Sequence, residues 1–128
     1  MRRSKKKILL IDGSIAGLMV GKMILGRDAY DVITARTGRE GLEKAFVEMP
    51  DLIVLSAGSA LTAGDASSEG ASTCEALRTH ERTRATPVLV LTTRGAGEGC
   101  DYVTKPVSGL ELLTKVRCRL GEIQDRRG

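Results

Sequence analysis

The sequence predicts one α/β domain built on a doubly wound parallel sheet. Three observations carry this. Short aliphatic runs occur without polar alternation, apolar residues between them return every three or four positions, and the two patterns alternate along the chain. Ile8-Leu9-Leu10-Ile11 reads as a strand buried on both faces. Ser14 to Leu25 follows as a helix, with Leu18, Met19, Met23 and Ile24 expected inward and Lys22 and Arg27 toward water. Tyr30 to Thr34 is a short strand. Thr37-Gly38-Arg39-Glu40 has the spacing of a capping box, opening a helix to about Glu48 that turns Leu42, Ala45 and Phe46 inward and stops at Pro50.

Leu52 to Leu55 is a third aliphatic strand. The stretch from Ser56 to Gly70 is rich in Gly, Ser and Ala, and Ser72 to Glu75 can cap a helix carrying Leu77. Pro87 to Leu91 is a fourth strand, with Pro87 at the position where a missing N–H costs least. Residues 101–104 form a fifth. Ser108-Gly109-Leu110-Glu111 caps a last helix, with Leu110, Leu113, Val116 and Leu120 on one side. Between the last two strands, Thr93 to Gly99 contains Gly95 and Gly97 and ends on a third glycine. Each costs about 1 kcal/mol of helix propensity relative to Ala, so a fourth helix is expected to be absent or much shortened there.

Length and charge divide the chain further. Its 128 residues suit one domain, and 41% hydrophobic content is enough for a core. Aromatic residues are only 2%, so base-stacking surfaces have little to draw on and nucleic acid is disfavoured as a partner. The net charge of +4 sits at the ends: Arg2, Arg3, Lys5, Lys6, Lys7, Arg126 and Arg127 are terminal, and what lies between is slightly acidic. The expected division is a basic tail over 1–7, a domain over 8–121 and a polar tail or linker over 122–128. Cys74, Cys100 and Cys118 are odd in number and lack zinc-site spacing, which suggests thiols in a reducing compartment. The apolar run after Lys7 is too short for a signal peptide, and no stretch has transmembrane length, so a soluble, cytoplasmic protein is expected.

Polar residues stand at the strand ends: Asp12, Ser56, Thr92 and Lys105. Singly, each is ordinary turn or capping chemistry. Together, in an open α/β sheet, they can converge at one edge. Ile8-Leu9-Leu10-Ile11-Asp12, Pro50-Asp51-Leu52-Ile53-Val54-Leu55-Ser56, Pro87 to Thr92, and Gly99 to Pro106 with its Tyr102, Lys105 and Pro106 occur in that order. On these motifs the chain resembles the response-regulator receiver domain over nearly all of residues 6–120. The resemblance implies a five-stranded sheet in the flavodoxin-like order 2-1-3-4-5 and a non-enzymatic role in bacterial two-component signal transduction.

The departures define the expected function. The family carries adjacent acids after its first strand, and here they are Asp12-Gly13. Its phosphoacceptor aspartate is replaced by Ser56, a neutral hydroxyl that gives a divalent cation no charge. Asp12, Gly13, Ser56, Thr92 and Lys105 are thus read as a degenerate phosphoacceptor pocket. No catalytic residue, metal ligand set or cofactor is assigned. Thr92 and Lys105 are expected to be retained structurally, with Lys105 pairing with Asp12. The stretch from Ser56 to Leu77 is longer than the family's, and that from Thr92 to Lys105 shorter.

The expected role is a phosphorylation-independent protein-interaction module. Its partner would be another signalling protein or domain, with a second copy of the chain as the other allowed partner. Contacts are expected around Tyr102, Arg94 and Pro106. Two alternatives are weighed. One is a conventional phosphorelay receiver with a displaced acceptor such as Asp65. The other is a phosphate- or nucleotide-binding domain using the glycines at 95, 97 and 99, which lack the Gly-Lys-Ser/Thr ending of a phosphate loop.

Overall fold

The computed structural model describes residues 5–27, 30–56, 73–92, 101–104 and 108–123. Five strands form one parallel sheet: β1 (Lys7–Asp12), β2 (Asp31–Ala35), β3 (Leu52–Ser56), β4 (Val88–Thr92) and β5 (Asp101–Thr104). Their order is β2-β1-β3-β4-β5, as expected. Four helices lie among the described residues: α1 (Ile15–Gly26), α2 (Gly38–Glu48), α3 (residues 73–79) and α4 (Gly109–Arg119). The expected loss of a helix between β4 and β5 concerns residues outside those described.

The pleat of β1 sorts the core. Leu9 and Ile11 point to one face, where Leu42 and Ala45 of α2 and Cys74 and Leu77 of α3 cover them together with Ile53, Leu55, Val88 and Val90. Ile8 and Leu10 point to the other face. There Leu18, Ile24 and Leu25 of α1 and Leu112, Leu113 and Val116 of α4 pack with Leu52, Val54 and Leu89. Burial on both faces is why β1, β3 and β4 are aliphatic runs.

Local chemistry sets the helix ends. Ser14 Oγ accepts from the Gly17 N–H at 3.1 Å, Thr37 Oγ1 from the Glu40 N–H at 3.0 Å, and Ser108 Oγ from the Glu111 N–H at 3.0 Å. The box at α2 closes one residue earlier than expected: Glu40 Oε1 accepts from the Arg36 N–H at 2.9 Å. α2 ends on Met49 in the left-handed region, with φ 49°, directly before Pro50.

Three readings are corrected. Met19 and Met23 are exposed, and the sheet-facing side of α1 is instead made by Leu18, Gly21, Ile24 and Leu25. Small residues allow this choice, since a Cβ at Gly21 would lie 2.6 Å from Leu10 Cδ2. Leu110 is exposed, and Leu112 takes the buried place beside Val116. Cys74 is buried but disulfide-bonded, whereas Cys118 is a free thiol, so the reading of plain thiols holds only for the latter.

Candidate functional site

Parallel strands deliver their carboxyl ends to one edge of the sheet, and the register fixes which residues meet there. Asp12 closes β1 and is the register partner of Ser56, which closes β3. Ser56 is in turn level with Leu91 of β4. One step further on, Thr92 is level with Thr104. Neighbouring strands lie about 4.8 Å apart, so the row Asp12, Ser56, Thr92 forms one contiguous edge. Thr104 belongs to it as well, and nothing in its sequence context singles it out. Tyr102 lies in β5 opposite Val90. Lys105, Pro106, Arg94 and Asp65 lie outside the described residues, as do the glycines at 95, 97 and 99.

The Asp12 carboxylate is committed to the start of α1. Its Oδ1 accepts from the Ser14 N–H at 2.9 Å, forming an Asx-type turn. Its Oδ2 fills the space that a β-carbon at position 17 would need, so Gly17 is the residue that lets the carboxylate lie there. An anion at a helix N-terminus is favoured by the orphan N–H groups and the helix dipole. The only trace of this use in the sequence is Asp-x-Ser with a glycine three residues later, a pattern that does not fix the side-chain direction.

Gly13 is exposed and contributes no side chain, and Ser56 is half-buried and neutral. The divalent cation implied by the receiver resemblance requires several oxygen ligands, carboxylates among them. The residues present do not fit it. Among the described residues one carboxylate, that of Asp12, stands at this edge, and it is already turned onto a helix. Among the described residues no group of three or more His, Cys, Asp or Glu could hold a metal.

An open parallel sheet in the order 2-1-3-4-5, with an acid closing the first strand and a hydroxyl closing the fourth, is a receiver-type α/β arrangement. The solved structures bear this out. The CheY-like response regulator receiver domain protein from Methanospirillum hungatei JF-1 superposes with a TM-score of 0.76, is 30% identical, and covers 98% of this chain and 100% of its own. Among curated proteins, the alkaline phosphatase synthesis transcriptional regulatory protein PhoP of Bacillus subtilis (strain 168) is 37% identical over 124 residues, 90% of this chain and 48% of that one. The DNA-binding dual master transcriptional regulator RpaA of Synechocystis sp. is 36% identical over 123 residues, 89% of this chain and 48% of its own length. The chain thus spans about half the length of these curated relatives. No family model matches it.

The chain belongs to the CheY-like response-regulator receiver-domain family. Its role is that of a receiver domain in signal transduction, and such domains are not themselves classed as enzymes. Among the described residues no helix is long and apolar enough to cross a membrane.

Proposed function

We propose that this receiver domain works without phosphorylation, as a protein-interaction module that binds another signalling protein or domain. One observation carries the reading: the carboxylate of Asp12 is spent on the first turn of α1 while its register partner is Ser56. Phosphoryl transfer to a receiver needs an anionic oxygen nucleophile and a metal to neutralise the developing charge. Here the nucleophile position carries a neutral hydroxyl, and the position beside Asp12 carries a glycine. Asp12, Gly13, Ser56, Thr92 and Lys105 are then the remains of a phosphoacceptor pocket. Tyr102, Arg94 and Pro106 are the module's partner-contact candidates.

The domain of this module is taken as residues 8–121, flanked by a basic segment and a polar one. Both flanks touch it: Lys7 opens β1, and Glu122 accepts a hydrogen bond from Tyr30. The curated relatives named above are transcriptional regulators, and this chain corresponds to about half of each. A DNA-binding effector is accordingly one partner through which the module would act.

The test is incubation with a small-molecule phosphodonor and Mg²⁺, read by intact mass. The expected result is an unchanged mass. A stable gain of one phosphoryl group that disappears when the metal is chelated would overturn the proposal.

A further inference from the structure

We propose that Cys74 and Cys100 form a redox switch that ties α3 to the start of β5. The inference rests neither on the state of the phosphoacceptor pocket nor on the partner-contact reading. It starts from the cysteines, which are Cys74, Cys100 and Cys118. Cys74 is disulfide-bonded and Cys118 is a free thiol, so Cys100 is the sulfur left for Cys74. Packing also sets Cys118 apart. It lies in α4, whose Leu112 and Val116 cover one face of the sheet, whereas Cys74 packs on the other.

The strand register agrees with this pairing. Cys100 lies outside the described residues, and Asp101, which follows it directly in the sequence, opens β5. Asp101 is level with Leu89, and Tyr102 with Val90. Val88 and Val90, on either side of Leu89, belong to the buried cluster that holds Cys74. The chain therefore enters β5 one strand spacing, about 4.8 Å, from the strand on which Cys74 packs. A disulfide needs its two Cα atoms roughly 4.4–6.8 Å apart, which is the scale of this approach.

The link bears on an edge of the sheet. β5 has four residues, the fewest of the five strands, and its ladder is with β4 alone. A covalent tie to α3 restrains a strand that hydrogen bonds hold on one side only. The two cysteines stand 26 positions apart in the sequence. Closing a loop of that length shifts the unfolding equilibrium by about a hundredfold.

Two observations favour a reversible link over a permanent one. A chain of 128 residues with 41% hydrophobic content can bury its core without a cross-link. Secreted domains built on disulfides carry an even set of cysteines, whereas Cys118 here is a thiol left over.

Oxidation needs a two-electron acceptor, and a small disulfide such as oxidised glutathione supplies it. One cysteine, as thiolate, attacks the small disulfide. That S–S bond breaks, one glutathione thiol leaves, and a mixed disulfide remains. The second cysteine then displaces the other glutathione thiol and closes the Cys74–Cys100 bond. The two cysteines lose two electrons and two protons, and the two glutathione thiols take them up. Cys74 is 4% exposed, so the first attack is assigned to Cys100 and the closing one to Cys74.

The intact chain, equilibrated across ratios of reduced to oxidised glutathione and then alkylated, tests the switch by mass and peptide mapping. The expected result is a loss of two hydrogens mapped to Cys74 and Cys100, present at oxidising ratios and reversed at reducing ones. Amide exchange at residues 102–104 is expected to slow at least tenfold in the linked form. Cys74→Ala is expected to stop at a glutathione adduct on Cys100, and Cys118→Ala to leave the link intact. Thiols unlinked at every ratio, a link through Cys118, a link that survives the most reducing buffer, or β5 exchange indifferent to the link would each overturn the proposal.

Discussion

A β-carbon built at Gly13 meets only the Arg36 carbonyl oxygen, 3.7 Å away, and its φ is not in the left-handed region. An aspartate therefore fits at 13 without backbone strain. Ser56→Asp alone is different: it sets a carboxylate one strand away from Asp12, and like charges at that spacing repel. A cation binding there must also draw Asp12 from the Ser14 N–H, a charge-assisted bond worth about 1.5–3 kcal/mol. Ser56→Asp is expected to lower stability without metal and to stay short of submillimolar Mg²⁺ affinity in calorimetric titration. Gly13→Asp combined with Ser56→Asp is expected to tighten binding at least tenfold, about 1.4 kcal/mol. Equal affinities for the single and double variants would contradict this account of the site. Glu40 supplies a second residue-scale test. The Arg36 N–H hydrogen bond, then the Lys44 ammonium, hold its carboxyl below the ordinary 4.5. A depressed folded pKa gives stability that is present above the ordinary value and fades as pH falls through the folded one. Carboxyl NMR should place the Glu40 midpoint under 4.5, and Lys44→Met should raise it only part of the way, since the backbone bond is the larger cause. A midpoint at or above 4.5 would refute the closing contact at α2.

At the scale of elements, Gly26 of α1 and Gly41 of α2 have opposite surroundings. Nothing lies within 4 Å of a Cβ at Gly26, whereas a Cβ at Gly41 would overlap Ile11 Cδ1 and sit 2.8 Å from its Cγ1. Ala gains up to about 1 kcal/mol of helix propensity over Gly, less at the last residue of a helix. Overpacking a tight core costs about 1–3 kcal/mol. Ile11 is buried in that core, so the clash wins at 41 and propensity wins at 26. Urea unfolding should show Gly26→Ala stabilising by roughly 0.5 kcal/mol and Gly41→Ala destabilising by about 1 kcal/mol; the same sign at both positions would refute the close approach of α2 to β1. These glycines also explain what could be read in advance. β1, β3 and β4 were legible because double burial leaves an unambiguous aliphatic run, and the caps at Thr37 and Ser108 because their chemistry is local. The inward face of α1 was not legible. Apolar residues occupy most of its turns, so periodicity alone does not select a side; Gly17 and Gly21 select it, by letting Asp12 and Leu10 lie against the helix. In α4, Leu110 and Leu112 compete for one stripe, and only the approach of Gly109 to Ile24 decides between them.

For the whole molecule, alternating strands and helices with right-handed crossovers leave few topologies, and the family motifs choose the order 2-1-3-4-5 among them. The glycine at 13 and the serine at 56 were equally plain in the sequence. The commitment of the Asp12 carboxylate to α1 was not, because it depends on a side-chain direction. Nor was the closure of the domain at the opposite edge of the sheet, where three distant segments meet. Tyr30 Oη donates to Glu122 Oε1 at 2.6 Å, tying the start of β2 to the residues after α4. Lys6 Nζ donates to the Leu120 carbonyl at 3.3 Å and lies 3.7 Å from Glu122 Oε2. The Lys6 pair is largely solvated and contributes about 0–1 kcal/mol. The tyrosine bond is different, since the ring of Tyr30 is buried in the core and its acceptor is charged. Such bonds contribute about 1.5–3 kcal/mol when fully shielded, and about 1–2 kcal/mol is reasonable for this half-buried one. Tyr30→Phe and Glu122→Ala should each lower stability by about that much in urea unfolding. Because both remove the Tyr30–Glu122 bond, and Glu122→Ala removes the weak Lys6 pair besides, the double variant should lose less than the sum, with a coupling of about 1 kcal/mol. Additivity within about 0.3 kcal/mol would show that the two residues act independently and that this closure is not what holds the end of α4 to the sheet.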